Sequence, residues 1–353
     1  MGLLGKIRGV RSSLAHSARD TRPHPRSPRR GGRIAVIVVA IVLVALAVIV
    51  AWWVWGPREV EGTDAPRLAV FSDTLAATHA ASDPEGSAQQ EAAAFLAEQP
   101  TALWLVPERA PLGAVADKVA DLASEARAQG ATSTLVVYGL PGRDCGNHSA
   151  GGLEASAYDA WTTEIGDAIR QSGTDTILIL EPDSIALSNE CGNIAERAEQ
   201  LRDAIANLSS EYTTIYIDGG HSRWHSPELM AEMILDMGII EDVRGVATNV
   251  SNFNDDAAEL SYAHALASRL GGTHAVIDTS RSGVGSNGQW CNPGGRRVGT
   301  APATIADEVV DTNLWIKVPG ESDGTCNGGP VAGDWWPAAA VELTQDVRSD
   351  ATR

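Results

Sequence analysis

The sequence predicts an α/β fold built as a seven-stranded (β/α) barrel. Short β-rich runs alternate along the chain with stretches of helical composition, which is typical of a parallel sheet with right-handed crossovers. Seven such runs within about 220 residues favour a barrel over an open sheet. The predicted strands are Leu103 to Val106, Thr134 to Tyr138, Thr176 to Leu180, Thr213 to Ile217, Gly245 to Val250, His274 to Ile277 and Leu314 to Val318. The predicted helices are Leu112 to Ala128, Ala157 to Gln171, Ile194 to Leu208, Pro227 to Leu235 and Asp255 to Arg269.

The third predicted strand ends in acidic residues. The segment from Ile177 to Leu187 reads ILILEPDSIAL, so four apolar residues are followed directly by Glu181, Pro182 and Asp183. In α/β folds the active site lies at the carboxyl ends of the strands. A rigid strand end therefore presents Asp183 as a candidate general acid.

The second predicted strand delivers another aspartate. The segment LVVYGLPGRDCGNHSAGG runs from Leu135 through Tyr138 into a loop that carries Asp144. Glycoside hydrolysis uses paired carboxylates, one of which must stay protonated. The two strand ends together predict such a pair, although a lone aspartate at a strand end is more often a helix cap.

Charge is distributed unevenly along the chain. The first 33 residues carry nine Lys and Arg against one acid, Asp20, whereas the remaining 320 residues carry 18 basic and 44 acidic residues, a formal charge of −26. Phosphate binding needs a basic face. The acidic body therefore excludes nucleic acid as a partner.

An uncharged segment of 22 residues follows the basic tail, from Ile34 to Trp55. At ~1.5 Å per residue it is long enough to cross a bilayer, and its closing tryptophans suit the headgroup boundary. We expect a basic cytoplasmic tail at 1–33, a transmembrane signal anchor at 34–55, a linker at 56–65 and an extracellular catalytic domain at 66–353, attached to the cell membrane. The alternative is a cleaved secretory signal and a secreted domain. Residues 57 to about 87 have the composition of a stalk.

All four cysteines lie in the predicted extracellular part. An even number in an exported domain indicates two disulfides, and the sequence permits three pairings. No CxxC spacing supports a metal site. The four residues are Cys145, Cys191, Cys291 and Cys326.

Aromatic and polar side chains recur at the predicted strand ends. Ten tryptophans against three phenylalanines is an unusual balance, and a tryptophan there can hold the apolar face of a sugar ring or simply fill the core. Together these residues predict a carbohydrate cleft. They are Trp104, Asp218, His221, Trp224, Trp290, Lys317, Glu321 and Asp323.

Two long segments resemble the signature segments of glycoside hydrolase family 6, the inverting β-1,4-glucanases. They are VVYGLPGRDCGNHSAGG and ILILEPDSIAL, and further landmarks follow in family order: LWLV, DGGHSRW, TNVSNF with Asn249, DTSRSG and IKVPGESDG. The resemblance covers about residues 66 to 345. It implies a distorted seven-stranded barrel and sequential disulfides, Cys145 with Cys191 and Cys291 with Cys326. Together with the predicted anchor, it indicates a membrane-anchored bacterial member of the family. We expect a monomer that acts on a β-1,4-glucan without metal or organic cofactor.

The resemblance assigns roles to individual residues. Asp183 matches the general acid, Asp144 the carboxylate that keeps it protonated and helps relay a proton from the attacking water, and Tyr138 the tyrosine that favours a distorted sugar ring. Asp323 matches the debated candidate for the base. The positions that hold glucose units along the cleft are Trp104, Asp218, His221, Trp224, Asn249, Trp290, Lys317 and Glu321.

One position departs from the family pattern. The family commonly has a serine where this chain has Ala150, and its hydroxyl helps to hold the nucleophilic water. We expect the neighbouring Ser149 to take that role; a backbone carbonyl, or impaired turnover, is the alternative. Cys191 follows Asp183 by only eight positions, and short loops in this family accompany an open cleft. We therefore predict an inverting endo-β-1,4-glucanase; the alternatives are an exo-acting cellobiohydrolase and a noncatalytic glycan-binding surface protein.

Overall fold

The computed structural model describes residues 65–146 and 151–351. The predicted tail, the predicted anchor and nearly all of the predicted linker lie outside the described residues, and so do Ser149 and Ala150. Within the described ranges, no helix combines the length and the apolar character that crossing a membrane requires.

Seven parallel strands form one sheet in chain order, which confirms the predicted strand count and direction. An isolated parallel bridge between Thr101 and Trp315 links the segments beside the first and last strands, and the Ala102 amide donates to the Trp315 carbonyl at 2.9 Å. The sheet thus curls into a distorted, incompletely closed barrel. The strands are β1 Leu103–Leu105, β2 Ser133–Val137, β3 Thr176–Leu180, β4 Thr213–Asp218, β5 Gly245–Thr248, β6 His274–Asp278 and β7 Val310–Leu314.

The five predicted helices are present, with ends that differ by at most three residues from the prediction. They lie between consecutive strands, as right-handed crossovers require. Four further helices in the described residues were not predicted. In chain order the helices are α1 Leu75–Ser82, α2 Ala88–Ala97, α3 Val115–Gln129, α4 Ala155–Ser172, α5 Ser188–Cys191, α6 Ile194–Leu208, α7 Pro227–Met237, α8 Asp256–Arg269 and α9 Pro337–Ala351.

The predicted seventh strand was wrong in its position. The apolar run that begins at Leu314 suggested a strand up to Val318, but β7 ends at Leu314. The strand includes Asn313, which is fully buried; its side-chain oxygen accepts from Thr304 N at 2.8 Å and its amide donates to the Thr279 hydroxyl at 2.8 Å. A polar strand of this kind is stable because its buried groups are hydrogen-bonded, and apolar patterning does not detect it.

The predicted stalk was also wrong beyond its first part. Residues 75–82 form α1, whose capping residue Thr74 accepts a hydrogen bond from Ala77 N at 3.0 Å. The helices α1, α2 and α9 share a separate cluster of buried apolar side chains. Small alanines supply much of that cluster, and alanine gives weak helical periodicity.

The main core lies between the sheet and its surrounding helices, and a second apolar cluster fills the barrel interior. All five residues of β2 and of β3 are buried, as expected for central parallel strands covered on both faces. Trp104 and Tyr138 pack against the inner cluster. The inner cluster therefore supports the side chains that follow the carboxyl ends of the strands.

Candidate active site

The predicted site residues follow the carboxyl ends of successive parallel strands. Those ends meet at one rim of a barrel, where enzymes of this architecture place their chemistry. In the described part of the chain, every strand of the sheet contributes at least one of these residues, and together they include carboxylates, tryptophans and a lysine. By strand they are Trp104 from β1, Tyr138 and Asp144 after β2, Asp183 after β3, Asp218, His221 and Trp224 at or after β4, Asn249 after β5, Trp290 after β6, and Lys317, Glu321 and Asp323 after β7.

Tyr138 and Asp144 are in direct contact. The Tyr138 hydroxyl donates to Asp144 Oδ2 at 2.6 Å. Arg143 lies beneath them: its guanidinium is 4.5 Å from the centre of the tyrosine ring and donates to the Tyr138 carbonyl at 2.6 Å. Burial and the Asp144 charge raise the pKa of Tyr138, so the tyrosine keeps its proton and remains a donor.

Asp183 has the electrostatics of a general acid. Its backbone has φ 67°, a conformation that non-glycine residues rarely adopt, and its amide donates to Asp218 Oδ2 at 2.9 Å. Burial raises the pKa of Asp183 well above its usual range, and the negative charges of Asp218 and then Asp144 raise it further. The family resemblance implies that Asp144 keeps Asp183 protonated, but the larger of the two charge effects on Asp183 comes from Asp218.

Asp218 lies behind Asp183. Its side chain is 1% exposed, and burial raises its own pKa to about 7. Asp218 therefore accepts the backbone amide of Asp183, and its negative charge raises the pKa of the Asp183 carboxyl group. The predicted contact of Asp218 with substrate stays a prediction.

Asp323 is held in an ion pair. Arg281 Nη1 lies 2.8 Å from Asp323 Oδ1 and 2.9 Å from Oδ2, and Asn292 N donates to Oδ2 at 3.0 Å. The side chains of Arg281 and Asp323 are 4% and 7% exposed. Both oxygens of Asp323 therefore already accept hydrogen bonds from neighbouring groups of the protein.

Lys317 lies beside Trp104, and Glu321 is close enough for its charge to act on Lys317. The lysine nitrogen is 6.0 Å from the centre of the Trp104 ring and 3.9 Å from Asp323 Oδ1. Burial lowers the pKa of Lys317 and raises the pKa of Glu321. The ring of Trp104 is fixed by Nε1, which donates to the Ile316 carbonyl at 2.8 Å, and by an edge contact with Tyr138.

His221 and Trp224 form a second partly buried group. Their rings lie 5.6 Å apart, and the Asn254 amide lies 3.0 Å from His221 Nδ1. Burial, followed by the charges of His225 and Arg223, lowers the pKa of His221 to about 4. The imidazole is therefore neutral near neutral pH and suits hydrogen bonding to a hydroxyl group.

Asn249 and Asp278 form hydrogen bonds that connect the loops at the rim. Asn249 is fully buried, and its amide donates to the Asp278 carbonyl at 2.9 Å. Asp278, which the sequence analysis did not single out, accepts from Ser251 N and Lys317 N at 3.0 Å each. It therefore joins the loops after β5 and β7, and its place directly at the end of β6 in the segment DTSRSG was the available signal.

The two disulfides have the sequential pairing. Cys145 is bonded to Cys191 and Cys291 to Cys326. The first joins the loop of Asp144 to the loop after Asp183, and the second fixes the segment after Trp290 to the one after Asp323. Trp290 is 55% exposed on this rim. Within residues 65–146 and 151–351, no cluster of three His, Cys, Asp or Glu side chains is placed to hold a metal ion.

The model of the family described as glycosyl hydrolases family 6 matches residues 68–347. The chain belongs to glycoside hydrolase family 6. Endoglucanase A of Cellulomonas fimi is 41% identical over 254 residues, which cover 72% of this chain and 56% of that protein. The chain thus spans a little over half the length of this family relative.

Two solved structures of the family have the same fold. The endoglucanase Cel6 of Mycobacterium tuberculosis, in complex with a methyl cellobiosyl-thio-cellobioside, is 34% identical with a TM-score of 0.74, and the match covers 80% of this chain and 98% of that one. The catalytic core of the cellobiohydrolase Cel6A of Chaetomium thermophilum is 26% identical with a TM-score of 0.68, covering 81% and 99%. Members with endo-acting and exo-acting names are therefore both similar to this chain.

Proposed function

We propose that the protein is an inverting endo-β-1,4-glucanase that hydrolyses internal bonds of cellulose or a related β-glucan. One observation carries the proposal: Asp183 is half-buried at a strand end with its amide 2.9 Å from Asp218 Oδ2, where burial and the charges of Asp218 and Asp144 raise its pKa. A carboxyl group that keeps its proton near neutral pH can protonate a departing glycosidic oxygen. Family membership supplies the substrate class.

The first step is proton donation by Asp183. As the bond between the anomeric carbon and the glycosidic oxygen breaks, the Asp183 proton moves to that oxygen and the leaving sugar departs as an alcohol. Positive charge develops on the sugar ring, and the Asp144 carboxylate beside Tyr138 stabilises it. The proposed role of Tyr138, whose ring contacts Arg143, is to favour a distorted sugar.

Water completes the reaction from the opposite face of the ring. A carboxylate must accept the proton of this water, either directly or through a second water. Asp144 suits this role better than Asp323, whose two oxygens both face Arg281. Ser149 is the proposed hydroxyl that holds the water, in place of the usual serine at Ala150.

The endo mode is favoured by the short connection after the acid. Between Asp183 and α6 the chain forms only the four-residue helix α5, and the disulfide Cys145–Cys191 holds it against the neighbouring loop. A connection this short, and fixed by a disulfide, does not itself extend over a cleft. The exo-acting alternative predicts little loss of viscosity for each reducing end formed on soluble cellulose, whereas an endo enzyme lowers viscosity early.

The deciding experiment follows the anomeric configuration of fresh product by NMR, with the full chain acting on a soluble β-1,4-glucan. An inverting enzyme releases the α-configuration first, and initial release of the β-configuration would refute the mechanism. The variant Asp183→Ala should lose about 10²- to 10⁴-fold of polysaccharide hydrolysis. It should lose less on an aryl cellobioside, whose leaving group needs no proton. A protein that binds cello-oligosaccharides without any hydrolysis would instead be a glycan-binding surface protein.

We further propose that residues 34–55 anchor the domain to the cell membrane, with the basic tail on the cytoplasmic side. The support is the uncharged length of the segment and its terminal tryptophans. Extraction of whole-cell membranes with carbonate tests this proposal. Activity that remains with the membrane supports the anchor, and activity in the medium on a shortened chain supports the secreted alternative.

A further inference from the structure

Two buried side chains of opposite charge contact the loop that carries Asp144. They are Glu181, directly after β3, and Arg197, in the first turn of α6, with 0% and 1% exposure. Neither side chain has a role in the mechanism above. Buried charges are costly unless they are paired or hydrogen-bonded, so their partners indicate what they do.

Glu181 binds two consecutive backbone amides. Its Oε1 accepts from Gly139 N at 2.9 Å and its Oε2 accepts from Leu140 N at 3.2 Å. An ionised carboxylate has acceptors only, so each oxygen is matched to one donor. Glu181 itself has φ 49°, a conformation that persists only where the surrounding structure holds it.

Arg197 binds the carbonyls of the next two residues. Its Nη1 donates to the Pro141 carbonyl at 3.0 Å and its Nη2 to the Gly142 carbonyl at 3.4 Å. The nearby Glu181 charge opposes the effect of burial, which lowers the pKa of Arg197. The amides of residues 139 and 140 are therefore bound by the Glu181 carboxyl group, and the carbonyls of residues 141 and 142 by the Arg197 guanidinium.

The backbone around these two contacts is closely packed and has no room for a side chain at two glycines. A Cβ atom at Gly139 would lie 2.7 Å from the Trp161 ring, and one at Gly152 would lie 1.9 Å from the Leu140 carbonyl oxygen. The disulfide at Cys145 fixes the far end of the same loop. Residues 139–145 are thus held at both ends and along their backbone.

We propose that Glu181 and Arg197 form a buried clamp that positions Asp144 relative to Asp183. Glu181 precedes Asp183 by two residues and Asp144 follows Gly142 by two, so the clamp ties the strand end that carries Asp183 to the loop that carries Asp144. Both clamp residues are positioning residues, because they contact the loop and not the substrate. The inference rests on the proposed glucanase function for its kinetic consequence, but not for its structural one.

The structural consequence is tested by hydrogen exchange. In Glu181→Gln the amide NH₂ faces one of the two backbone donors, so one hydrogen bond is lost; Arg197→Met loses both of its donors while keeping an apolar stem. Exchange of a peptide spanning residues 138–146 should become faster in both variants. Unchanged protection in both variants would overturn the clamp, whether or not the wild-type protein hydrolyses glucan.

Two matched control variants remove the same kinds of hydrogen bond at sites away from the loop that carries Asp144. Glu164 also accepts two backbone amides, from Gly113 at 2.7 Å and Ala116 at 3.1 Å. Arg170 also donates to two carbonyls, of Asn207 at 2.9 Å and Ser209 at 3.3 Å. Both lie on the outer helix α4, so Glu164→Gln and Arg170→Met should lower thermal stability without faster exchange in 138–146.

The kinetic consequence is a change in kcat without a matching change in KM. Misplacing a catalytic group by about 1 Å costs on the order of 10²-fold, so Glu181→Gln and Arg197→Met should lower kcat about 10- to 100-fold. KM for a soluble cello-oligosaccharide should stay within about twofold. Arg197→Lys should recover part of kcat because it restores a cation, and Glu164→Gln should keep wild-type kcat.

A double-mutant cycle shows whether the clamp acts through Asp144. In the background Asp144→Asn, adding Glu181→Gln should lower the remaining kcat by less than about threefold, because coupled residues are not additive. A full multiplicative loss, or an unchanged kcat in folded single variants, would overturn the kinetic part. If Glu181→Gln does not fold, the Arg197 pair of variants carries the same test. Absence of hydrolysis by the wild-type protein would instead refute the proposed function and leave hydrogen exchange to decide the clamp.

Discussion

The charge of Asp218 should control the upper end of the pH range in which the enzyme works. Asp218 Oδ2 accepts the amide of Asp183, and its charge is the larger of the two that raise the Asp183 pKa. The variant Asp218→Asn removes the charge but keeps an oxygen that can accept this hydrogen bond. The pKa of Asp183 should therefore fall, and the acid should lose its proton at a lower pH.

The size of the shift can be worked from the contact distance. Asp218 Oδ2 lies 2.9 Å from the Asp183 amide nitrogen. The Asp183 carboxyl group belongs to the same residue as this amide, so we take the two carboxyl groups to lie about 5 Å apart, roughly one residue's length. Two full charges at that separation interact by about 3 kcal/mol at an effective dielectric constant of about 20, which corresponds to about two pH units. Because the pKa of Asp218 is itself raised to about 7, it is only partly charged near neutrality. We therefore expect a shift of about one unit.

The assay is the pH profile of kcat/KM on a soluble cello-oligosaccharide, whose basic limb reports the acid of the free enzyme. In Asp218→Asn the basic limb should move to lower pH by about one unit, with kcat on the acidic side within about tenfold of wild type. Asp218→Ala, which also loses the hydrogen-bond acceptor, should lose more at every pH. A basic limb that stays in place, or moves to higher pH, would show that Asp218 does not raise the pKa of the acid.

Three further measurements test the site and its supports. Tyr138→Phe removes a 2.6 Å hydrogen bond to Asp144. Because hydrogen bonds to charged groups are worth about 1.5–3 kcal/mol, kcat should fall about 10- to 100-fold. The control variant Tyr216→Phe loses an equally short hydrogen bond near the amino ends of the strands and should leave kcat unchanged. Cys291→Ser opens a disulfide with a sequence separation of 35 and should lower the free energy of unfolding by about 4 kcal/mol in denaturant titrations; a loss below about 1 kcal/mol would contradict this. Burial raises the folded-state pKa of Glu181 to about 7 from a usual 4.5, so the folded state binds more protons and its stability should decline as pH rises from about 4.5 to 7. Thermal unfolding from pH 4.5 to 7.5 should show a shallower decline in Glu181→Gln than in wild type, and equal slopes would refute the assignment.

Local patterning was sufficient to predict most of the fold. The runs that became β2 and β3 are continuously apolar because both faces of these strands are buried, and that signal is readable along the chain. It failed at β7, where Asn313 and its neighbours satisfy their polar groups through partners 8 to 34 residues away. It also failed for α1, α2 and α9, whose alanines form a core only when the three helices meet.

The sequence by itself determined which carboxylates stand at the ends of the strands, because a side chain that follows a parallel strand must lie at the common rim. It thereby identified Asp144 and Asp183 as a pair. Only the tertiary structure decided that Asp218 lies behind Asp183 and that Arg281 holds Asp323. The physical reason is that pKa values and ion pairs depend on burial and on separation in space, and residues 35 or 42 positions apart come together only when the barrel is packed.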